Sequence, residues 1–283
     1  MESTAKPQVL IITKVTPRYW RATFNDPPMN LMTPEIYEGL WTLLNELERD
    51  QEVQVIVFDS SATDYFIMHV DLVNGSKALR VPEKSWALFV QRLAQMPVVS
   101  ICMIRGRVRG IGSEFALSCD MRFASVEKAI WGQPEVGSGV VPGGGCLEWL
   151  PRLVGRSRAL EICLGSDDFD AKTAELYNWI NRALPDSELD GFVDALARRI
   201  ASFPKFPVAQ TKAIINNRAG IPSPAGIRQT QDAFMQCRSI PEVQQRIQKL
   251  FEAGLQEHGD FEFNLGRNLA LVDTYKKNTG QEG

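Results

Sequence analysis

The first half of the chain alternates short apolar runs with segments whose apolar positions recur at helical spacing. Thr33 followed by Pro34 is a typical helix start, and apolar side chains continue at helical spacing as far as Leu47. β-Branched runs beside such segments predict strands buried on both faces, so the pattern indicates an α/β core. The predicted strands cover residues 9–15, 19–25, 53–59, 98–104 and 121–124, and the predicted helices begin at Pro34, Glu83 and Ser157.

The second half of the chain predicts helices only, from about residue 185 onwards. An amphipathic stretch from Leu189 to Ile200 ends before Pro204, and further helices start near Pro224 and Pro241. We therefore expect a core over residues 1–203 that carries the functional site, and a helical region over residues 204–283. The apolar stripes of these helices either cover the core of the same chain or pack against a neighbouring subunit, and the sequence leaves both readings open.

Composition and charge exclude several classes of protein. Apolar residues make up 44% and charged residues 23% of the 283 residues, as in an ordinary globular protein. A net charge of −3 gives no field that would attract nucleic acid. The longest apolar run, Val98 to Ile104, is far below the ~18 residues of a membrane span. The first seven residues hold no apolar signal core, so we expect a cytoplasmic protein.

Histidine and cysteine are too few and too scattered for several kinds of chemistry. The chain has two histidines, His69 and His258, and its five cysteines form no Cys-x-x-Cys pair. We therefore expect no metal site and no disulfide framework. No Gly-x-Ser-x-Gly turn is present for a serine hydrolase. The remaining chemistry is that of carboxylates and backbone dipoles.

A glycine-rich turn leads into an apolar helix that carries Glu114. Gly106 and Gly110 precede this helix, so its first amides are expected to point outward, where they could hold an anion or polarise a carbonyl oxygen. The pattern is not a dinucleotide-binding fingerprint, because Phe115 takes the place of its third glycine. Upstream, a predicted strand turns into a helix with Asp71 near its start, where a helix cap alone explains the aspartate.

A second carboxylate, Glu135, follows Pro134 among apolar residues and glycines. Such surroundings are poor ones for a solvated charge, although a surface loop remains an alternative. Another glycine-rich turn follows at residues 142–145. Two glutamates beside such turns can act as general acid and general base if burial separates their pKa values.

In their order along the chain, these motifs resemble those of the crotonase superfamily, the enoyl-CoA hydratases and isomerases. The family stretch Gly-Gly-Gly-x-Glu-Leu-Ala-x-x-Cys-Asp is similar to residues 110–120, and Phe-Gly-x-Pro-Glu is similar to residues 131–135. Residues 142–145 and 150–155 resemble the Pro-Gly-rich turn and the helix that follow. The resemblance implies a crotonase-like α/β spiral of ββα units with a helical C-terminal region. It also implies a homotrimer or homohexamer that acts in fatty acid metabolism.

The resemblance also implies roles for individual residues. Glu114 and Glu135 would hold and activate water, and the backbone amides of Met68 and Ile111 would form an oxyanion hole for the thioester oxygen. The Gly143 amide would orient Glu135 or the water. Asp71 would bind substrate or assist. His69 is no part of the family pattern; as the histidine near the predicted site it would bind substrate or act as a further acid/base group, with a structural hydrogen bond as the alternative. The substrate would be an acyl-CoA or acyl-carrier thioester, with no cofactor beyond the coenzyme A of the substrate.

The sequence departs from the family pattern beside the predicted oxyanion hole. Met68-His69 replaces the usual Ala-Gly, and Ile111 replaces a glycine, so we expect a narrower pocket and a strained isoleucine. Because both glutamates are present, hydration of a 2-enoyl thioester is the leading prediction. Isomerisation, decarboxylation or thioester hydrolysis on the same fold is the alternative, and a non-catalytic acyl-CoA-binding subunit is the alternative of another class.

Overall fold

The computed structural model describes residues 8–75, 79 and 81–275. The predictions that concern the first seven residues and the end of the helical region after residue 275 lie outside these residues. The strands are β1 Leu10–Thr16, β2 Tyr19–Phe24, β3 Val55–Ser60, β4 Tyr65–Ile67, β5 Val99–Ile104, β6 Arg107–Arg109, β7 Met121–Ser125, β8 Ile130–Gly132, β9 Asp168–Asp170 and β10 Arg182–Leu184. The helices are α1 Pro34–Arg49, α2 Trp86–Gln95, α3 Ile111–Ser118, α4 Cys146–Val154, α5 Arg156–Gly165, α6 Ala171–Leu176, α7 Asp186–Ala201, α8 Lys205–Ala219, α9 Pro224–Arg238, α10 Pro241–Ala253, α11 Asp260–Phe263 and α12 Leu265–Leu271.

The strands form two sheets between which the chain passes repeatedly. The first sheet has the order β1-β2-β3-β5-β7-β10 and is parallel except for the β1–β2 hairpin. The second has the order β4-β6-β8-β9, with β9 antiparallel to β8. Each of the pairs β3–β4, β5–β6 and β7–β8 places its first strand in one sheet and its second strand in the other. This progression confirms the predicted α/β spiral of strand pairs and helices.

Local sequence signals explain where α1 and α2 begin. The Thr33 hydroxyl accepts a hydrogen bond from the Ile36 amide at 3.3 Å, and Pro34 occupies the first turn, as predicted. The second helix was predicted to begin at Glu83, and this start is wrong because the helix begins at Trp86. A single 3₁₀ turn covers Pro82–Lys84, and the extended Ser85 (φ −69°, ψ 147°) separates it from α2. The amide of Trp86 bonds to the Leu79 carbonyl instead of continuing that turn.

Helix α3, which carries Glu114, is fixed by an aromatic cluster in the core. Phe115 is fully buried, and its ring meets those of Phe24 and Phe58 edge-on at centroid distances of 5.6 Å and 5.0 Å. The large residue at the family's leucine position therefore packs under the sheet. Its packing holds the first turn of α3 at the edge of the spiral.

The C-terminal helices pack partly on the core of the same chain. The Lys212 ammonium on α8 lies 2.8 Å from the Asp120 carboxylate and donates to the Val98 carbonyl at 2.8 Å. Ile227 of α9 is 1% exposed, whereas Phe206 of α8 is 74% exposed. The boundary near Pro204 falls between α7 and α8 and stays a prediction. Within the described ranges, no helix is long and apolar enough to cross a membrane.

Candidate active site

A cavity of about 80 Å³ lies where the first turn of α3 meets the loop after β4, the turns after β8 and helix α9. Its lining includes Glu114, Glu135, His69, Ile111 and Gly143, which the sequence nominated together. Most of the remaining surface is apolar. The fold therefore brings five of the seven nominated residues to one cavity, and Met68 and Asp71 lie outside its lining.

Glu114 is a buried carboxyl group held by backbone donors. Its Oε1 accepts hydrogen bonds from the Gly144 amide at 2.7 Å and from the Cys146 amide at 3.1 Å, at the start of α4. Burial raises the pKa of Glu114 to about 7, although the two amides favour its charged form. A carboxyl group with this pKa exchanges protons readily near neutral pH, as a general base must.

Glu135 has a different environment in the same cavity. Its Oε2 is buried and has no hydrogen-bond partner among the described residues. Burial, with the negative charge of Glu114 as the next cause, raises the pKa of Glu135 well above the ordinary value. Glu135 is therefore the group of the pair that keeps its proton, and it is suited to give a proton away.

The glycine turn before α4 shapes the Glu114 side of the cavity. A Cβ atom on Gly144 would lie 2.2 Å from Glu114 Oε2 and 2.9 Å from Trp86 Nε1. The Trp86 indole donates to the Gly144 carbonyl at 2.8 Å and is fully buried. The neighbouring Gly143 lines the cavity, so its amide remains a candidate to orient water or Glu135, while the Gly144 amide holds Glu114.

The expected strain at Ile111 is absent. Ile111 is the first residue of α3, and the residue with positive φ is the preceding Gly110, at 53°. A Cβ atom on Gly110 would lie 2.9 Å from Glu135 Oε1, so the turn needs glycine for space as well as for conformation. The Ile111 side chain lines the cavity, and the narrowing expected from it stays a prediction.

The assignment of the Met68 amide to the oxyanion hole needs correction in this conformation. That amide donates to the Asn30 carbonyl at 3.2 Å, which leaves it unavailable to a ligand. The Met68 side chain is fully buried against Met29 and Tyr65, so it does not narrow the cavity either. A short parallel bridge between Met32 and Val70 continues this pairing, so the backbone of the loop after β4 bonds to residues 30–32.

His69 and Asp71 use their side chains to fix the loop after β4. Both ring nitrogens of His69 are engaged, Nδ1 with the Val70 carbonyl at 3.1 Å and Nε2 with Glu262 Oε1 at 2.8 Å. The Asp71 carboxylate accepts from the amides of Val73 and Asn74 at 2.9 Å and 3.2 Å. The Asp71 carboxylate therefore caps the turn at residues 72–75, as the helix-cap interpretation requires, while residues 76–78 lie outside the described part of the chain. The structural alternative describes the His69 ring.

Sequence reasoning missed the side of the cavity that the C-terminal helices supply. Gln231, Phe234 and Met235 of α9 line it, as does Trp86 of α2. Glu262 lies behind His69 and is fully buried. Its position between Phe261 and Phe263 was a usable signal, because a charge inside an apolar run is often a buried, paired one.

Comparison with known proteins assigns the family. A family model described as enoyl-CoA hydratase/isomerase matches residues 20–261. The chain belongs to this family. It is 26% identical to a short-chain-enoyl-CoA hydratase of Clostridium acetobutylicum, a match that covers 81% of this chain and 90% of the relative. Among the described residues of this family member, no group of three His, Cys, Asp or Glu side chains lies where it could hold a metal ion.

Solved structures show the same architecture. A candidate enoyl-CoA hydratase from Streptomyces avermitilis is 43% identical and superposes with a TM-score of 0.89, over 95% of this chain and 99% of that one. An enoyl-CoA hydratase from Mycobacterium avium subsp. paratuberculosis is 22% identical and has a TM-score of 0.77, with 86% and 99% of the two chains covered. The crotonase-like fold predicted from the motifs is therefore confirmed.

Proposed function

We propose that this protein is a hydratase that adds water across the double bond of a 2-enoyl thioester, and removes it in the reverse direction. The observation that carries the proposal is the pair of buried carboxyl groups in one cavity. Glu114 is held by two amides that favour its charged form, whereas Glu135 has a buried oxygen without a partner in the part of the chain that the structure describes. Different environments of this kind separate a general base from a general acid.

In the proposed reaction the two glutamates move protons in opposite directions. Ionised Glu114 takes a proton from water as the water oxygen bonds to Cβ of the enoyl group, and the electrons of the double bond move towards the thioester oxygen. Neutral Glu135 then gives its proton to Cα as the enolate collapses. The sum is the addition of one water molecule, after which a proton returns from Glu114 to Glu135 through solvent.

The developing charge on the thioester oxygen needs a hydrogen-bond donor. The Ile111 amide at the start of α3 is the proposed donor, since the first amides of a helix have no partner within the helix and carry its positive dipole end. The Met68 amide would have to leave the Asn30 carbonyl to join it. The Gly143 amide is proposed to orient the attacking water.

The family relation supports an acyl-CoA substrate, with an acyl-carrier thioester as the other thioester that the site could take. We propose that the coenzyme A of the substrate is the only cofactor, and that the protein acts in the cytoplasm in fatty acid metabolism. A homotrimer or homohexamer is proposed because α8 exposes Phe206 and Ile215, at 74% and 58%. Light scattering at working concentration tests the assembly, and a monomer would contradict it.

Product analysis on a panel of 2-enoyl-CoA esters of increasing chain length tests the reaction. A hydratase yields a product heavier than its substrate by one water molecule. A product of unchanged mass would indicate isomerisation, a loss of carbon dioxide from a carboxylated ester would indicate decarboxylation, and released coenzyme A would indicate hydrolysis. Saturable binding without turnover on the whole panel would indicate a non-catalytic acyl-CoA-binding subunit. Each of these four results would overturn the proposal.

A further inference from the structure

A buried ion pair joins the reaction cavity to the C-terminal region. His69 Nε2 lies 2.8 Å from Glu262 Oε1, and the side chains are 10% and 0% exposed. His69 belongs to the loop after β4 and lines the cavity with Glu135, while Glu262 belongs to α11, far away in sequence. The pair therefore links a wall of the cavity to the last part of the described chain.

The partners of the imidazole ring indicate its protonation state. The Val70 carbonyl at Nδ1 can only accept a hydrogen bond, so Nδ1 carries a proton. At Nε2 the partner is a carboxylate that also accepts from the Gln256 amide at 2.6 Å, so Nε2 donates as well. A ring that donates from both nitrogens is an imidazolium, and it has no nitrogen left to take a proton from substrate.

The charged groups around the pair favour this state. Burial lowers the pKa of His69, but the charge of Glu262 and the hydrogen bonds outweigh burial and raise the pKa above its ordinary value. Burial raises the pKa of Glu262, but His69 and the Gln256 amide outweigh burial and lower it. From the neighbouring β6, Arg109 opposes the charge on His69, and Glu135 faces the ring across the shared cavity.

Glu262 is itself held in place from two directions. Arg109 is 1% exposed and donates to the Glu262 carbonyl at 2.5 Å, while its guanidinium also binds both oxygens of Asp168 at 2.7 Å. The Gln256 side chain donates to Asp71 Oδ1 at 3.2 Å, which is a second connection between the loop after β4 and the segment that precedes α11. These contacts fix the backbone around Glu262, and the Gln256 amide holds its carboxylate oxygen Oε1 at 2.6 Å.

We infer that Glu262 is a positioning residue, which keeps His69 as a fixed cation in the wall of the cavity and ties the loop after β4 to α11. His69 lines the same cavity as Glu114 and Glu135, so a cationic ring in this wall favours the negative charge that develops on the thioester oxygen, less the part that the Glu262 carboxylate offsets. This kinetic role rests on the proposed hydration, whereas the charge state of His69 does not.

Nuclear magnetic resonance tests the charge state without any substrate. The chain has only two histidines, so substitution of His258 identifies the ring signals of His69. We expect His69 to stay protonated to a higher pH than the imidazole of a short unstructured histidine peptide in the same buffer, because its pKa is raised. In Glu262→Gln, His69 should lose its proton at a lower pH than that peptide, because the ring stays buried without its counter-charge. Titration of His69 in the unsubstituted protein at or below the pH at which the peptide titrates would overturn the inference.

Kinetics test the positioning role. Glu262→Gln should lower kcat about tenfold, the scale of one lost charged hydrogen bond, and change KM less. Its activity should also gain a new decline towards high pH as His69 loses its proton. Glu252→Gln, the same exchange on an exposed side chain of α10, is the matched control and should leave both unchanged. An unchanged kcat and pH profile in folded Glu262→Gln would overturn the role.

A second variant covers the case in which Glu262→Gln does not fold. His69→Gln keeps a hydrogen-bond donor for Glu262 but carries no charge, so it should show the loss of kcat without the added decline at high pH. Activity equal to that of the unsubstituted protein would overturn the positioning role. If no 2-enoyl thioester is turned over at all, the hydratase proposal fails while the titration of His69 still tests the ion pair.

Discussion

The two walls of the cavity are built from different parts of the chain and by different interactions. The wall from the α/β core carries Glu114 and Glu135. Two backbone amides hold the Glu114 carboxyl group through hydrogen bonds of 2.7 Å and 3.1 Å. The wall from the C-terminal helices carries Phe234 and Met235, which present mainly apolar surface to the cavity. The polar groups are concentrated in the core wall, and the apolar surface of the opposite wall shapes the space.

This difference separates two kinds of contribution to catalysis. Groups in the core wall change charge or donate hydrogen bonds during the reaction, so their loss should act on kcat. Apolar groups in the C-terminal wall bind ground state and transition state alike, so their loss should act on KM. Glu262 is the exception, because it acts on the core wall from the C-terminal side.

Replacement of the carboxyl groups should give the largest effect. Glu114→Gln and Glu135→Gln keep the side-chain shape but cannot exchange protons, so each should lower kcat by roughly 100- to 10,000-fold. Steady-state kinetics with a short 2-enoyl-CoA measure the loss, and circular dichroism checks the fold.

Glu175→Gln is the matched control for these variants, since Glu175 is exposed on α6 and away from the cavity. It should retain full activity. Turnover unchanged in both cavity variants would refute the two-carboxylate mechanism.

Gly144→Ala should disturb Glu114 without removing it. The new Cβ would lie 2.2 Å from Glu114 Oε2, so the carboxyl group or the turn must move, at a cost of about 1–3 kcal/mol in stability. We expect kcat to fall by about ten- to a hundredfold, because small displacements of a catalytic group are costly. Gly165→Ala, whose Cβ meets nothing within 4 Å, is the control. Equal activity of the two variants would show that the close packing around Glu114 is unimportant.

The pH dependence of kcat/KM should report Glu114 directly. The pKa of about 7 means that Glu114 is increasingly protonated below neutral pH and can no longer accept a proton from water. We expect kcat/KM to fall about tenfold for each pH unit below that value. Rates measured across roughly pH 5 to 9 check this limb, and a flat profile well below pH 7 would contradict the role of Glu114 as the base.

Phe234→Ala should have the smallest effect and should act on KM. Phe234 lines the cavity opposite the glycine turn, and its Cβ would lie 3.1 Å from a Cβ on Gly143. Loss of its ring removes apolar contact worth about 1–2 kcal/mol, or roughly a tenfold rise in KM, with kcat nearly unchanged. Leu176→Ala, the loss of an exposed apolar side chain of α6, provides the control substitution. A large fall in kcat instead would mean that the two walls do not divide the work as described.

Sequence signals sufficed where local rules act. Thr33 and Pro34 marked the start of α1, whereas the prediction that Glu114 and Glu135 meet came from the resemblance of their motifs to those of the crotonase superfamily. The three-residue strands of the second sheet are too short for a periodic pattern, which needs several alternations.

Long-range contacts set the parts that could not be predicted. The contact between His69 and Glu262 joins residues 193 positions apart, and no local pattern specifies such a pair. The Met68 amide turned towards Asn30 because strand-like pairing with residues 30–32 satisfies the loop backbone. Helix α2 begins at Trp86 and not at the predicted Glu83, because Ser85 is extended and the Trp86 amide bonds to the Leu79 carbonyl.

The most direct test of the account follows the origin of the oxygen atom in the product. A short 2-enoyl-CoA is incubated with the protein in oxygen-labelled water, and the product is analysed by mass spectrometry. We predict a saturated product that carries one labelled hydroxyl group at Cβ, formed by the unsubstituted protein and not by Glu114→Gln. Unlabelled product of the same mass as the substrate, or label found only in a free carboxylic acid, would contradict hydration by the two glutamates.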